Sequence, residues 1–291
     1  MTNRIRSVER QIVPQTVMEG AGVKLKRSIA LPELDNVDPF LLFDHFGSDD
    51  PANYLKGFPL HPHRGIETVT YMMAGRVDHK DSIGNAGSIY AGDVQWMTSG
   101  SGIMHEEMPQ PVDGRMEGFQ LWVNLPARLK MSSPNYQEYT AGTLPVVTRD
   151  DGTLITVVAG GVDGVQGPVT EIAISPVYID VSLPPGVVFS HPVTAGHAAL
   201  AYVFEGSGHF GETPGGTEVE ALSMVVFGDG DAVQASASAS GMRFLLISGT
   251  PLNEPIARYG PFVMNTRAEI ETALQELRSG TFVKKGAGSH S

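Results

Sequence analysis

Two stretches of this chain read as copies of two others, and that constrains the architecture more than any single motif. TYMMAGRV at 70–77 resembles AYVFEGSG at 201–208, and YAGDVQWM at 90–97 resembles FGDGDAVQA at 227–235. A spacing of roughly 130 residues implies two versions of one unit, and 291 residues are enough for each to have its own core. Both copies read as β structure. Runs such as VKLKRSIA, ETVTYMMAGRVDHKDSIG, TLITVVAGG and VYIDVSLPPG are rich in β-branched and aromatic residues. They are broken by glycine and proline, of which the chain has 34 and 20. Units of short strands joined by tight turns remove their sheet edges by closing into barrels or jelly rolls. The expected division is one barrel over 1–130 and a second over 131–291, with the polar, Pro-bounded LPARLKMSSPNYQEY (125–139) as connector.

The one clear helix is expected at 266–278. Thr266 and Glu269 have the spacing of a capping box, Ile270, Leu274 and Leu277 form one apolar stripe, and Gly280 can end it. Its stripe must be buried, and a groove between the two barrels is the expected shelter.

Composition removes several function classes. A net charge of −12, with no cluster of Lys and Arg, argues against a nucleic-acid surface. With no cysteine there is neither a disulfide framework nor a thiolate metal site, so a metal would have to use histidine and carboxylate. No run is long and apolar enough for a signal peptide or a membrane span. A cytoplasmic monomer making no membrane contact is the expectation.

HPHRGIETVTY (61–71) carries the chemistry. His61 and His63 are two apart, so on a strand their side chains share a face. Forty-two residues after His63, SGSGIMHEEMP places His105 and Glu107 in the same relation. Two such pairs on neighbouring strands would aim four ligand atoms into one barrel. Three imidazoles and a carboxylate suit iron(II), manganese, cobalt, nickel or copper, and also zinc, which lacks redox chemistry. Glu106 alternates to the other face and is not expected to bind. Glu67, four residues after His63, also points inward but is expected to support the structure. His45, His79, His191, His197, His209 and His290 are scattered and read as ordinary packing or surface residues.

HxH followed by a Gly-rich turn and a third histidine resembles the cupin barrel. DPFLLFDHFG, the 61–85 stretch, GDVQWMTSGSGIMHEEMP, EGFQLWVNLP and PLNEPIARYGPFVMNT resemble the pirin family, bicupins of bacteria and eukaryotes. The likeness runs over roughly 15–280. It implies an all-β jelly-roll bicupin with a short C-terminal helix, and iron in the first barrel on His61, His63, His105 and Glu107. Offsetting these ligands by 131 meets Pro192, Thr194, Ser236 and Ser238, so the second barrel is expected to lack a site. The resemblance implies one of two activities. One is a flavonol (quercetin) 2,3-dioxygenase acting on a small aromatic substrate, with Glu107 as proton acceptor. The other is an iron-binding regulator of a protein partner, without turnover. For the enzyme, Met72, Trp96, Met97 and Phe119 are the expected lining of an apolar pocket.

Overall fold

The computed structural model describes residues 4–110, 112, 114–212 and 215–284. His290 lies outside them. The expected strands form wherever apolar residues alternate or cluster between glycines, and they gather into two units of related strand order.

In the unit made of 15–141 and 252–291, a seven-stranded and a four-stranded antiparallel sheet face one another. The larger runs in the order Asn135–Tyr139, Val94–Thr98, Ile66–Ala74, Met116–Asn124, Phe40–Ser48, Val23–Ile29, Gln15–Glu19. The smaller runs Phe58–His63, Ile103–Gln110, Arg76–Asp81, Ala86–Tyr90. Val23, Leu25, Phe46 and Met72 from the larger sheet bury against Val77 and Ile89 of the smaller. Hydrophobic faces of two sheets thus make one core, as in a jelly roll.

The other unit, 1–14 and 142–251, is built around two long strands, Ala198–Phe210 and Ala232–Gly249. Ser223–Phe227, Val177–Leu183 and Val188–Pro192 pair with them. Its core gathers Phe189, Val203, Val225, Val233, Ala235, Phe244 and Leu246 in one apolar cluster.

The pairing pattern confirms the repeat and corrects its second half. Gly75 and Gly206 occupy matching places, both with positive φ (81° and 69°) and with a Cβ position that would strike a backbone oxygen; Gly75 sits at a bend, Gly206 at a register shift inside Ala198–Phe210. However, Val94–Thr98 pairs with Ile66–Ala74 as Ser223–Phe227 pairs with Ala198–Phe210. The counterpart of 94–98 is therefore 223–227, and FGDGDAVQA corresponds to a later part of the first copy. A shared Gly-Asp turn made the wrong pair look alike.

The division of the chain also differs from the expected cut near 130. Val8–Ile12 pairs with Ser223–Phe227, which draws the N-terminus into the second repeat's unit. After Pro251 the chain returns to the first repeat's unit, where Phe262 bridges to Arg64. The helix, Arg267–Ser279, has the expected capping box and a left-handed Gly280. Its stripe, Ile270 buried and Leu274 and Leu277 partly so, packs with Met104, Phe262, Met264 and Phe282 of its own unit and not in a groove between the barrels. The segment 125–139 is more than a connector, since Asn135–Tyr139 is an edge strand on Val94–Thr98. Buried Lys130 ties three pieces together, donating to the carbonyls of Gly65 (3.0 Å) and Val263 (2.8 Å) and to Asn124 Oδ1 (2.7 Å). Burial lowers its pKa to about 8.

Candidate metal centre

His61 and His63 lie on Phe58–His63, the edge strand of the small sheet, where a proline between them costs no ladder hydrogen bond. Ile103–Gln110 runs beside it, with His105 directly opposite His61 and Ile103 opposite His63. The three imidazoles converge. Ring centroids are 4.4 Å apart for His61–His105, 4.9 Å for His61–His63 and 5.0 Å for His63–His105. One ligand atom from each falls within 4.8 Å of the others. Among the described residues this is the one such group of three or more.

Glu107 faces the same way as His105 but stands outside that group. The pairing register slips after His105, so that Glu107 lies opposite Phe58, three residues before His61. The bulge sets the carboxylate back from the imidazoles. It is buried, lines the same cavity, and accepts a long hydrogen bond from Thr70 Oγ1 (3.4 Å).

The electrostatics favour a cation. Burial lowers the pKa of His61, with a bond from its Nδ1–H to the Pro59 carbonyl (2.9 Å) opposing the shift. That bond leaves the Nε2 lone pair of His61 for the cluster. His63 and His105 are lowered well below the usual range, first by burial and then by their neighbouring imidazoles. All three imidazoles are therefore neutral at pH 7, the form in which they could bind a metal. Both ring nitrogens of buried His105 lack a hydrogen-bond partner. Such orphaned atoms are expensive in a folded interior unless something binds them. His61 Nε2 and His63 Nε2 are 3.1 Å apart, which suits adjacent ligands each about 2.1 Å from one ion. Burial pushes the Glu107 carboxyl up to about 7, a shift that a nearby cation would reverse. The residues present fit a divalent metal.

A cavity of about 490 Å³, large enough for a drug-sized aromatic, is lined by the three histidines and Glu107. Its apolar wall is Trp122, Phe46 and Phe58 rather than the residues expected from the sequence. Met72, Trp96, Met97 and Phe119 are fully buried in the packing of the strands. Trp96 donates to Glu67 (3.2 Å), and Phe119 stacks on Phe43 and meets the His45 ring at a tilt. Glu67 has the supporting place expected of it, accepting also from Thr98 (3.0 Å), and burial raises its pKa to about 7. On the polar side, Arg27 grips Asp44 with two bonds of 2.8 Å and reaches Glu19. Arg258, brought in by the returning chain, lies 5.1 Å over the Trp122 ring.

The Pirin family profile matches residues 22–123, and that of the Pirin C-terminal cupin domain matches 178–283. A pirin-like protein of Caulobacter vibrioides is 46% identical over 96% of this chain and 99% of its own length. This chain belongs to the pirin family. Human pirin is 39% identical, over 94% of this chain and 93% of its own. A crystal structure of a quercetin 2,3-dioxygenase from Acinetobacter baumannii superposes with a TM-score of 0.87 at 34% identity, covering 96% of this chain and 98% of that one. In this chain the histidine cluster and the aromatic-walled cavity lie in the unit that the Pirin profile matches.

Trp122 and the Arg27–Asp44 pair were within reach of a sequence reading, since each lies on an alternating strand. Arg258 was not, because nothing local announces that its segment returns to the first unit. No helix among the described residues is long and apolar enough to cross a membrane.

Proposed function

We propose that this protein is a cytoplasmic, metal-dependent dioxygenase of the quercetin 2,3-dioxygenase type. In this reading His61, His63, His105 and Glu107 hold iron(II) and the cavity takes a flavonol or a similar phenol. The convergence of three neutral, buried imidazoles on a cavity walled by Trp122 carries the proposal. The fold likeness to a quercetin 2,3-dioxygenase supports the substrate class. A solved bacterial pirin from Escherichia coli is in complex with nickel(II), an ion that three imidazoles and a carboxylate also suit.

When bound, a redox-active metal supplies the electron exchange that lets triplet dioxygen react with a closed-shell phenol. The protein's own groups do the rest. Trp122, Phe46 and Phe58 exclude water and hold a flat ring system. Glu107, a buried carboxylate that a neighbouring cation keeps ionised, can accept the phenolic proton and leave the electron-rich phenolate. Thr70 fixes one Glu107 oxygen, and the Pro59 carbonyl fixes the His61 ring.

Anaerobic addition of quercetin to iron-loaded protein, followed by oxygen, tests the reading. Oxygen uptake coupled to quercetin loss is expected. Glu107→Gln should cut the rate by on the order of 10²-fold or more while changing metal affinity far less. Zinc-loaded protein should bind quercetin without consuming oxygen. Oxygen uptake by the zinc form, or none by any metal form with any flavonol, would rule the reading out.

A further inference from the structure

Arg27 and Arg258 both line the cavity, and they differ in how their charge is met. Arg27 is occupied, with Asp44 and Glu19 taking three of its N–H groups. Arg258 donates once, from Nη1 to the Leu41 carbonyl at 3.2 Å, and its guanidinium lies over Trp122. Among the described residues it has no ion-pair partner within 4 Å. Burial and the charge of Arg27 lower its pKa, while the charges of Asp35, Asp44 and Glu19 offset that in part. A half-buried guanidinium with unused donors, held in place by a ring, is poised to recognise an anion.

The position of the ring matters as much as the charge. Trp122 meets His63 edge-on, with centroids 5.1 Å apart and planes at 86°. One indole therefore touches His63 and carries Arg258. The guanidinium and the His63 ring are separated by roughly 10 Å or less. A flat molecule lying along Trp122 could present one oxygen to the histidines and another to Arg258.

We propose that Arg258 is the specificity-determining residue of this cavity, and that the substrates are planar phenols carrying a second, acidic group at the end remote from the histidines. The proposal rests on the dioxygenase reading only for where the phenol sits. An aromatic acid would gain a charge-assisted bond that its neutral ester could not, and would stack on the same tryptophan.

Caffeate and methyl caffeate share one catechol and one chain length and differ in charge. Their binding to nickel(II)-loaded protein, measured by calorimetry without oxygen, separates the charge effect from turnover. The wild type should bind caffeate about tenfold more tightly than the ester. Arg258→Met keeps a side chain over Trp122 but removes the charge. It should bring acid and ester to within about twofold while leaving ester binding within about threefold. Arg258→Lys should restore part of the preference. Equal binding of the two probes by the wild type, a preference that survives Arg258→Met, or failure of both probes to bind would overturn the proposal. Failure of the dioxygenase reading shows elsewhere, as absent oxygen uptake by the iron form, and leaves this ratio unchanged.

Discussion

The two β units of this pirin show what a metal site demands of a fold that does not need one. In the unit that holds the histidines, inward positions of paired strands carry His61, His63, His105 and Glu107. In its counterpart, Val188–Pro192 and the first half of Ala232–Gly249 turn Phe189, His191, Val233 and Ala235 inward. Only one of these is a histidine, and it stacks on Phe189 with planes 9° apart. The apolar residues join a continuous core, whereas the candidate ligand set lines a cavity and leaves both ring nitrogens of His105 without partners. The strands differ accordingly. Gly75 and the turn before Met116 break the first unit's strands where the second unit runs on through 13 and 18 residues. Equivalent backbones thus support a dry core in one case and a polar site in the other.

The largest expected effect breaks the comparison outright. His61→Ala with His63→Ala should remove stoichiometric metal, measured by elemental analysis, because a single histidine and a set-back carboxylate do not make a site. The melting of the other unit should be unchanged, as its core contains none of these groups. Loss of all folded structure would show instead that the cluster is a structural necessity.

Next comes the dependence of the site-bearing unit on the returning chain. Arg64, directly after His63, is 1% exposed, pairs with Glu276 on the helix and lies 4.5 Å over the Phe282 ring. Arg64→Met should cost about 3 kcal/mol in denaturant unfolding. The loss is moderated because Glu276 keeps Lys284 at 2.7 Å. Metal affinity should fall with it, since the bridge at Arg64 steadies the histidine strand. An effect below about 1 kcal/mol would mean the clamp is idle.

The third effect is a pH dependence that only one unit should have. Glu67 pairs opposite Thr98, and the corresponding position opposite Phe227 is Ala199. Burial raises the Glu67 carboxyl to about 7. The folded state therefore keeps a proton that the unfolded chain releases near 4.5, and stability falls as pH rises between those values. Glu67→Gln removes this slope. The variant should match the wild type below about pH 4.5 and exceed it by on the order of 2–3 kcal/mol above pH 7. A difference that does not change with pH would refute the assignment.

The smallest effects test the equivalence of the two glycines. Gly75→Ala and Gly206→Ala should each cost on the order of 1–2 kcal/mol, because both positions need positive φ. The second should cost more. Its Cβ would lie 2.1 Å from the Gly241 oxygen, against 2.6 Å from the Arg115 oxygen for the first. Thermal unfolding of the two variants checks the order.

Much of this was legible in the chain. Alternating apolar residues and turn glycines specify strands locally, so the all-β character and the two copies could be read directly. The i, i+2 spacing of His61 with His63, and of His105 with Glu107, is likewise local, because a strand has a period of two. The capping box at Thr266 and Glu269 and the left-handed Gly280 were visible for the same reason. Other features depend on partners far along the chain. The bulge after His105 comes from pairing with Phe58, and it sets Glu107 apart from the imidazoles. The pocket wall depends on which face of each strand looks into the cavity and which into the packing. Trp122 and Trp96 were indistinguishable in sequence, and only sheet placement buries one and leaves the other to line the site.

The sequence by itself determined the secondary structure, the duplication and the residues able to bind a metal, since each rests on neighbours a few positions apart. Tertiary structure alone decided where the units divide, which side chains share the cavity with the histidines, and that Arg258 is among them. Those outcomes follow from long-range strand pairing and from burial after Pro251, where the free energy of covering Phe262, Met264 and Ile270 selects the returning chain's place.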